Sequence, residues 1–270
     1  MELKIASTVS VNYEVTGSGE QDFLLFNGAT LPLEFWGPLA ERLGTLGRVI
    51  RFDQRNAGRT EFDGDFTLGD VAADAAALLQ ELNVDQVVVI GHAWGGRAAQ
   101  VFARDFPAFV SRLVIIGTGG QFPPVDMSAT GEAMQAARRN GDRAAWEPTF
   151  EKMWFGEGFA SRDPDTFAEV CDLMWGYRPP RTARWNMKAY PSAGYWGTAA
   201  VPTLLVYGQE DKNGTPENAA DLDRRLSDSR LVMIEGAGHF VIREAADRVF
   251  DEIRDFVSRK PAARRAGRPD

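Results

Sequence analysis

The chain has 270 residues, of which 44% are hydrophobic and 25% charged, close to the averages for soluble globular proteins. This length and composition exclude collagen, coiled coils and extended disorder, and fit one large α/β domain. Acidic residues outnumber basic ones by 38 to 30, which gives a formal charge of -8. Nucleic acid is therefore not an expected partner, because phosphate binding needs a basic surface.

Cysteine and histidine are scarce, which limits disulfide and metal chemistry. Cys171 has no second cysteine to pair with, and Cys171, His92 and His239 are too few ligands for a zinc site of nitrogen and sulfur. The glycine-rich nucleotide-binding loops of the P-loop and Rossmann types do not occur, so we expect neither a metal nor an organic cofactor. No signal peptide is visible and no window nears the roughly 20 apolar residues of a membrane span, which favours a cytoplasmic protein without membrane contact.

The N-terminal part of the chain has four strand patterns and a helix pattern. Weak alternation up to about residue 16 predicts two short strands, and the apolar run at 23–26 predicts a buried strand. A helical pattern over 34–46 leads to a strand at 49–52, and a polar loop from Asp53 to Thr60 follows.

The helix pattern over 67–83 has the clearest start signal. Its apolar positions recur every three or four residues, at Leu68, Val71, Ala72, Ala75, Leu78, Leu79 and Leu82. Thr67 and Asp70 have the spacing of a capping box, in which each side chain bonds the backbone N–H of the other residue. We therefore expect this helix to begin at Thr67.

Strands and helices continue to alternate through the rest of the chain, apart from one insertion. Apolar and β-branched runs predict strands at 86–90, 113–116, 203–207 and 231–234. A helix follows the first of these and ends before Pro107, and an amphipathic helix spans about 243–259. Such alternation predicts an α/β fold with a mostly parallel, doubly wound sheet.

Residues 121–196 have no convincing strand pattern, yet they hold 13 of the 29 aromatic residues and five of the seven tryptophans. We interpret this segment as a helical cap inserted into a core of residues 1–120 and 197–259, with a flexible tail at 260–270. So many aromatic rings suit an apolar pocket between cap and core, although ordinary packing explains any single ring equally well. Trp154, Trp175 and Trp185 are candidate substrate contacts.

A glycine-rich turn after the strand at 86–90 carries the main chemical signal. Gly91-His92-Ala93-Trp94-Gly95 has the G-x-S-x-G spacing of a nucleophile elbow, with alanine at the central position. The glycines allow a strained turn in which strand and helix approach closely. This stretch resembles the α/β-hydrolase family, and the resemblance implies that family's fold and its chain order of nucleophile, acid and histidine.

The resemblance extends to the loops that carry the acid and the histidine. Asp211 follows the strand at 203–207, and His239 follows the strand at 231–234 in a Gly-Ala-Gly-His turn. The resemblance implies that Asp211 and His239 form a functional dyad, whereas His92 supports the turn. Asp126 is a second candidate for the acid, because some relatives carry the acid after the strand corresponding to 113–116.

Two further stretches resemble the family. Asn27-Gly28-Ala29 stands where the family often has His-Gly-x, and the loop from Asp53 to Thr60 resembles its D-x-R-x-x-G-x-S turn. The resemblance implies an oxyanion hole formed by the backbone N–H groups of Ala29 and Trp94, which needs no particular side chain.

Ala93 has no nucleophilic atom, which leaves several functions open. If residue 93 has been substituted, serine there implies an esterase, lactonase or C–C bond hydrolase acting by acyl transfer, and aspartate implies an epoxide hydrolase or dehalogenase. If Ala93 is natural, His239 and Asp211 can serve as the base of a cofactor-free lyase, isomerase or oxygenase, or the chain binds a ligand without turnover.

We predict a hydrolase-type enzyme acting on a small apolar or aromatic substrate, with an oligomeric state that the sequence leaves open. Four basic residues near the end of the insertion are candidates for pairing with a carboxylate, although a solvated surface explains them as well: Arg178, Arg181, Arg184 and Lys188.

Overall fold

A computed structural model describes residues 2–6, 9–178, 180 and 194–259. Its strands are β1 Glu2–Ala6, β2 Val9–Thr16, β3 Gln21–Phe26, β4 Gly47–Phe52, β5 Val87–His92, β6 Val110–Ile116, β7 Thr203–Gly208 and β8 Ser229–Ile234. Its helices are α1 Gly37–Leu43, α2 Leu68–Glu81, α3 Trp94–Asp105, α4 Ser128–Arg139, α5 Arg143–Trp154, α6 Phe159–Arg162, α7 Pro164–Gly176, α8 Pro216–Arg225, α9 Val241–Glu244 and α10 Ala246–Ser258. Among these described helices, none has the length and apolar character needed to cross a membrane.

The eight strands form one sheet in the order β1-β2-β4-β3-β5-β6-β7-β8. β2 is antiparallel to β1 and β4, and all the other neighbouring strands are parallel. β5 and β7 are buried along their whole length, as the continuous apolar runs predicted. The predicted α/β fold with a mostly parallel sheet is confirmed.

Helices cover both faces of the sheet. One face packs against α2, α3 and α8, through side chains such as Leu78, Phe102 and Leu222. The other face packs against α1 and α10, through side chains such as Leu39 and Ile253. The sheet is therefore doubly wound, and the carboxyl ends of its parallel strands meet at one edge, where ligand sites form in folds of this kind.

The start of α2 agrees with the sequence, whereas two other helices differ from it. Thr67 caps α2, because its hydroxyl accepts from the Asp70 N–H and the Asp70 carboxylate accepts from the Thr67 N–H. The pattern over 34–46 is a 3₁₀ turn followed by the shorter α1, because Gly37 has a φ of 39° and interrupts the α geometry. The pattern over 243–259 begins instead at Ala246, since Ala245, with φ -140°, separates α9 from α10.

The chain between β6 and β7 forms the helices α4 to α7, and no strand occurs in the described part of this insertion. Phe150 of α5 packs on Phe240, which follows β8, with 5.9 Å between the ring centroids. The Phe240 N–H also donates to the Trp154 carbonyl at 3.1 Å. The insertion thus covers the carboxyl edge of the sheet. The predicted tail at 260–270 lies outside the described residues.

Candidate active site

The turn between β5 and α3 has the geometry of a nucleophile elbow. Ala93, the residue between the two elements, has φ 53° and ψ -119°, a strained conformation for a residue with a β-carbon. A β-carbon on Gly91 would lie within 2.6 Å of the Gly95 carbonyl oxygen, and one on Gly95 would overlap the carbonyl oxygens of Phe26 and Asn27. The two glycines are required because helix, strand and the end of β3 touch through their backbones.

The side chain that this turn presents is a methyl group. Ala93 is partly exposed and lines a cavity between the sheet and the insertion, as an elbow residue should. A methyl group can neither attack a substrate nor donate a hydrogen bond. The elbow is therefore intact as a backbone structure and has no nucleophile.

Asp211 and His239 are hydrogen-bonded to each other, as the resemblance predicted. Nδ1 of His239 lies 3.0 Å from both carboxylate oxygens of Asp211, and both residues are buried. Oδ1 of Asp211 also accepts from the N–H groups of Asn213 and Gly214, at 2.8 Å each. An ionised carboxylate only accepts hydrogen bonds, so Nδ1 carries the proton and Nε2 is left as the basic nitrogen.

His92 holds the backbone of His239. Its Nε2 lies 2.9 Å from the His239 carbonyl oxygen, and since a carbonyl only accepts, Nε2–H is the donor. Burial, with a smaller contribution from His239, lowers the pKa of His92 to about 3. His92 is therefore neutral at physiological pH and supports the histidine turn, in agreement with the sequence interpretation.

Glu244 is a further support of the same turn that sequence reasoning missed. Its carboxylate accepts from the N–H of Gly238 at 3.0 Å and from the N–H of Gly156 at 2.7 Å, which ties the turn before His239 to the insertion. Burial raises the pKa of Glu244 to about 7, against the opposing effect of these two N–H donors. No local sequence pattern predicts this role, because it depends on Gly156, which lies 88 residues away in the chain.

The two residues predicted to supply the oxyanion donors lie at the cavity. Ala29 and Trp94 both line the cavity. Trp94 is the first residue of α3, so its N–H has no acceptor within the helix. Asn27 is used by the fold, since its side chain donates to Leu31 and Phe52 carbonyls and accepts from Trp36. The arrangement suits two donors to a developing oxyanion, and this role remains a prediction.

The loop after β4 does not line the cavity, but it is hydrogen-bonded to residues on both sides of Ala29. Asp53 is fully buried and accepts from the N–H groups of Leu33 and Arg59 and from the Asn12 side chain. Its burial raises its pKa, and the same hydrogen bonds oppose this shift. Gln54, the next residue, donates to the Asn27 carbonyl at 2.8 Å.

The cavity has a volume of about 520 Å³, and aromatic side chains form part of its wall. Trp154 lines it, with its ring centroid 5.5 Å from that of His239. Trp175 does not line it, since the preceding residue of α7, Met174, faces the cavity and successive helical residues point about 100° apart. Trp175 packs instead on Trp146, at 5.3 Å between centroids.

For several other residues, the position in the structure differs from the sequence interpretation or is not described. Trp146 and Phe150 of the insertion line the cavity together with Phe240. The sequence analysis named none of these three as a substrate contact. Trp185 lies outside the described residues, as do Arg181, Arg184 and Lys188. Arg178 is exposed and donates to the Tyr177 carbonyl at 2.9 Å.

Asp126 is not the acid of the site. It is fully exposed and accepts from the Ser128 N–H at 3.0 Å, which lowers its pKa. The ring nitrogen that an acid would bind is already bonded to Asp211. The alternative acid is therefore wrong, because Asp126 faces solvent while Asp211 occupies the position beside the His239 ring.

A metal site requires several ligating side chains in one place. Within residues 2–6, 9–178, 180 and 194–259, no group of three or more histidine, cysteine or acidic side chains is placed to hold a metal ion. Cys171 is buried, and its burial raises the pKa of the thiol to about 12, so that it stays protonated at physiological pH.

Comparisons with known proteins agree with this geometry. Poly(3-hydroxyalkanoate) depolymerase of Ectopseudomonas oleovorans is 27% identical over 246 residues, which cover 88% of this chain and 84% of the relative. The 2-(acetamidomethylene)succinate hydrolase of Mesorhizobium japonicum is 25% identical over 267 residues, which cover 92% of each chain. The solved enol-lactonase of Burkholderia xenovorans LB400 shares the fold, with a TM-score of 0.77 at 20% identity over 94% of this chain and 99% of that one.

The family model described as the alpha/beta hydrolase family matches residues 23–252, which include the elbow, Asp211 and His239. This match runs from within β3 to within α10 and includes the insertion. The chain is therefore a member of the alpha/beta hydrolase family.

Proposed function

We propose that this protein is a hydrolase in which His239, held by Asp211, activates water directly against a carbonyl carbon of a small substrate. The observation that carries the proposal is the bond of His239 Nδ1 to both Asp211 oxygens, beside a cavity into which the elbow presents only a methyl group. Family membership supports hydrolysis, since the relatives named above are a depolymerase, a hydrolase and a lactonase.

The proton and the electrons can be followed through both steps. Nε2 of His239 takes a proton from water while the water oxygen bonds to the carbonyl carbon, and the carbonyl oxygen becomes an oxyanion. The N–H groups of Ala29 and Trp94 stabilise this charge. Collapse of the adduct breaks the bond to the leaving group, which receives the proton from His239. Asp211 stabilises the imidazolium between the two steps.

The walls of the cavity limit what the substrate can be. A space of about 520 Å³ is within the range of small-molecule sites, and its aromatic lining favours a largely apolar body. Trp154, Trp146 and Phe150 supply this lining beside His239. A small ester or lactone with an apolar substituent meets these requirements.

The test compares the protein with His239→Ala, Asp211→Asn and the double variant on a panel of p-nitrophenyl esters and lactones. General-base help contributes about 10²–10⁴-fold, so each single variant should lose rate on that order. The double variant should lose little more, because the two residues act as one unit. An unchanged rate in His239→Ala would contradict the proposal.

A matched variant separates direct water attack from acyl transfer. A fluorophosphonate, which reacts with activated serines, should leave the protein unlabelled and should label Ala93→Ser, because serine at the elbow would lie beside His239. If only Ala93→Ser turns over the ester panel, direct water attack is wrong and the scaffold works by acyl transfer.

A second candidate is removal of a proton from a substrate carbon by the same base, in a cofactor-free lyase or isomerase. The observation in its favour is that the dyad is fully assembled although position 93 has no nucleophile to activate. Exchange of substrate deuterium with solvent, without release of an acid product and lost in His239→Ala, would favour this candidate over hydrolysis.

A further inference from the structure

We propose that Arg97 binds a carboxylate of the substrate, so that the protein selects small acids with an apolar body. The inference rests on the proposed function only in taking the cavity beside His239 as the substrate site. It narrows the substrate class by charge, which the aromatic walls alone do not do.

Arg97 belongs to α3 and lies one helical turn after Trp94, so both side chains are on the same side of the helix. Its side chain lines the cavity and is only partly exposed. Nε of Arg97 donates to the Gly119 carbonyl at 2.9 Å. This bond fixes the plane of the guanidinium and leaves its two terminal NH₂ groups, the pair that can bind the two oxygens of one carboxylate.

Three other guanidiniums that are largely removed from solvent are neutralised within the protein. Arg55 pairs with Asp74 at 2.6 Å, Arg243 with Glu169 at 2.6 Å, and Arg230 with Glu252 at 2.7 Å. In the described part of the chain, Arg97 forms no ion pair with a carboxylate. A guanidinium removed from water without a counter-charge is costly, which favours a partner that arrives with the ligand.

The wall around Arg97 is positive although the whole chain has a formal charge of -8. Among the described residues that line the cavity, none is aspartate or glutamate, and Arg138 is a second guanidinium. Arg138 is already used, because it donates to the carbonyls of Met174 and Tyr177 at 2.6 and 2.7 Å.

The end of the cavity at Arg97 is close to the reaction site but separate from the dyad. Gly119 and Asn213 line this end, and a β-carbon on Gly119 would lie 3.0 Å from the Asn213 carbonyl oxygen and 3.7 Å from Nη2 of Arg97. Asp211, the carboxylate of the neighbouring turn, is engaged by His239 and by the N–H groups of Asn213 and Gly214. A carboxylate at Arg97 would thus anchor the substrate while its carbonyl lies between Trp94 and His239.

The experiment measures binding of hydrocinnamate and of its neutral amide by isothermal titration calorimetry near neutral pH. Charge-assisted hydrogen bonds should make the carboxylate bind roughly 10–100-fold more tightly than the amide. Arg97→Gln should remove this preference, and Arg97→Lys should keep part of it, since lysine retains the charge but not the fork. Arg254→Gln, on α10, removes the same charge far from the cavity and should keep the full preference.

The outcomes separate this inference from the proposed function. The preference should persist in His239→Ala, which removes the base but not Arg97, so binding tests the subsite independently of catalysis. If the protein does not hydrolyse the ester panel but prefers the acid to the amide, the subsite is supported and the proposed function is not. Equal affinity for acid and amide, binding of neither, or an unchanged preference in Arg97→Gln would each overturn the inference. Circular dichroism of Arg97→Gln and Arg97→Lys distinguishes lost recognition from lost folding.

Discussion

The hydroxyl of Tyr177 donates a hydrogen bond to the carbonyl oxygen of Thr30 at 2.6 Å and joins the insertion to the loop that carries Ala29. The same hydroxyl accepts from the Gly58 N–H at 2.8 Å. Thr30 has a φ of 60°, in the left-handed region, which is unfavourable for a β-branched residue. Tyr177 therefore stabilises a strained loop at the wall of the active-site cavity.

Tyr177→Phe should loosen this loop while the aromatic ring stays in place. We expect the free energy of unfolding to fall by about 1 kcal/mol, because the Thr30 carbonyl and the Gly58 N–H lose a partner. The value of kcat should fall about tenfold with little change in KM. Complete removal of an oxyanion donor lowers kcat by about 10²–10³-fold, and a shift of the loop that carries Ala29 should lower it less. Urea denaturation and steady-state kinetics test this, and an unchanged kcat would show that Tyr177 does not position the loop.

The strained elbow predicts that a smaller residue at position 93 stabilises the protein. Glycine adopts φ 53° and ψ -119° without the steric cost of a β-carbon. Glycine also gives the unfolded chain more conformational freedom, which offsets part of this gain. Ala93→Gly should therefore raise the free energy of unfolding by about 1 kcal/mol. Ala93→Val is the matched opposite and should lower it. A less stable Ala93→Gly in thermal denaturation would mean that the elbow is not strained.

Glu244 predicts a pH dependence of stability with a definite sign. Its pKa is raised from 4.5 to about 7 in the folded protein, so the folded state holds this proton more tightly than the unfolded state. The contribution is fully present below about pH 4.5 and is lost as the pH rises to 7. At about 1.4 kcal/mol per pKa unit, the rise from 4.5 to about 7 corresponds to about 3–4 kcal/mol.

Glu244→Gln should remove this dependence, since an amide cannot titrate but keeps an oxygen for the Gly156 or Gly238 N–H. The measurement is the free energy of unfolding from urea titrations at several pH values between 4.5 and 7. The difference between protein and variant should change steadily across this range. Parallel pH profiles would show that Glu244 is already ionised in the folded state.

His92 predicts the opposite dependence at lower pH. Its pKa falls from 6.5 in the unfolded chain to about 3 in the fold, so acid protonates the unfolded state first. Its contribution to stability is present above pH 6.5 and is lost as the pH falls towards 3. His92→Gln keeps an N–H donor for the His239 carbonyl, and its free energy of unfolding should fall less as the pH is lowered. Acid titration followed by circular dichroism compares the two, and equal acid midpoints would speak against a neutral, buried His92.

Local patterns in the sequence were enough for the elements that depend on near neighbours. The capping box of Thr67 and Asp70 closes over three residues, and the glycines at 91 and 95 act within a single turn, so both could be read directly. The pairing of His239 with Asp211 spans 28 residues and was predicted only through the resemblance to a family.

The remaining parts of the site depend on contacts that no local pattern encodes. The bond from Tyr177 to Thr30 joins residues 147 positions apart, and the cavity wall depends on which side of α7 each residue faces. Trp175 and Met174 differ by one position, and only packing decides which of them reaches the cavity. Nothing in the sequence around Arg97 distinguishes it from other charged residues on helices, and only the structure shows that it has no carboxylate partner among the described residues.

The contact of Gly95 with the Phe26 and Asn27 carbonyls has an evolutionary consequence. It holds α3 against the end of β3 by backbone atoms alone, so the spacing of Ala29 and Trp94 does not depend on the side chain at position 93. Every alanine codon is a single base change from a serine codon. A lineage carrying this chain could therefore place a serine at the elbow, beside His239, in a single mutational step and without rebuilding the backbone around it.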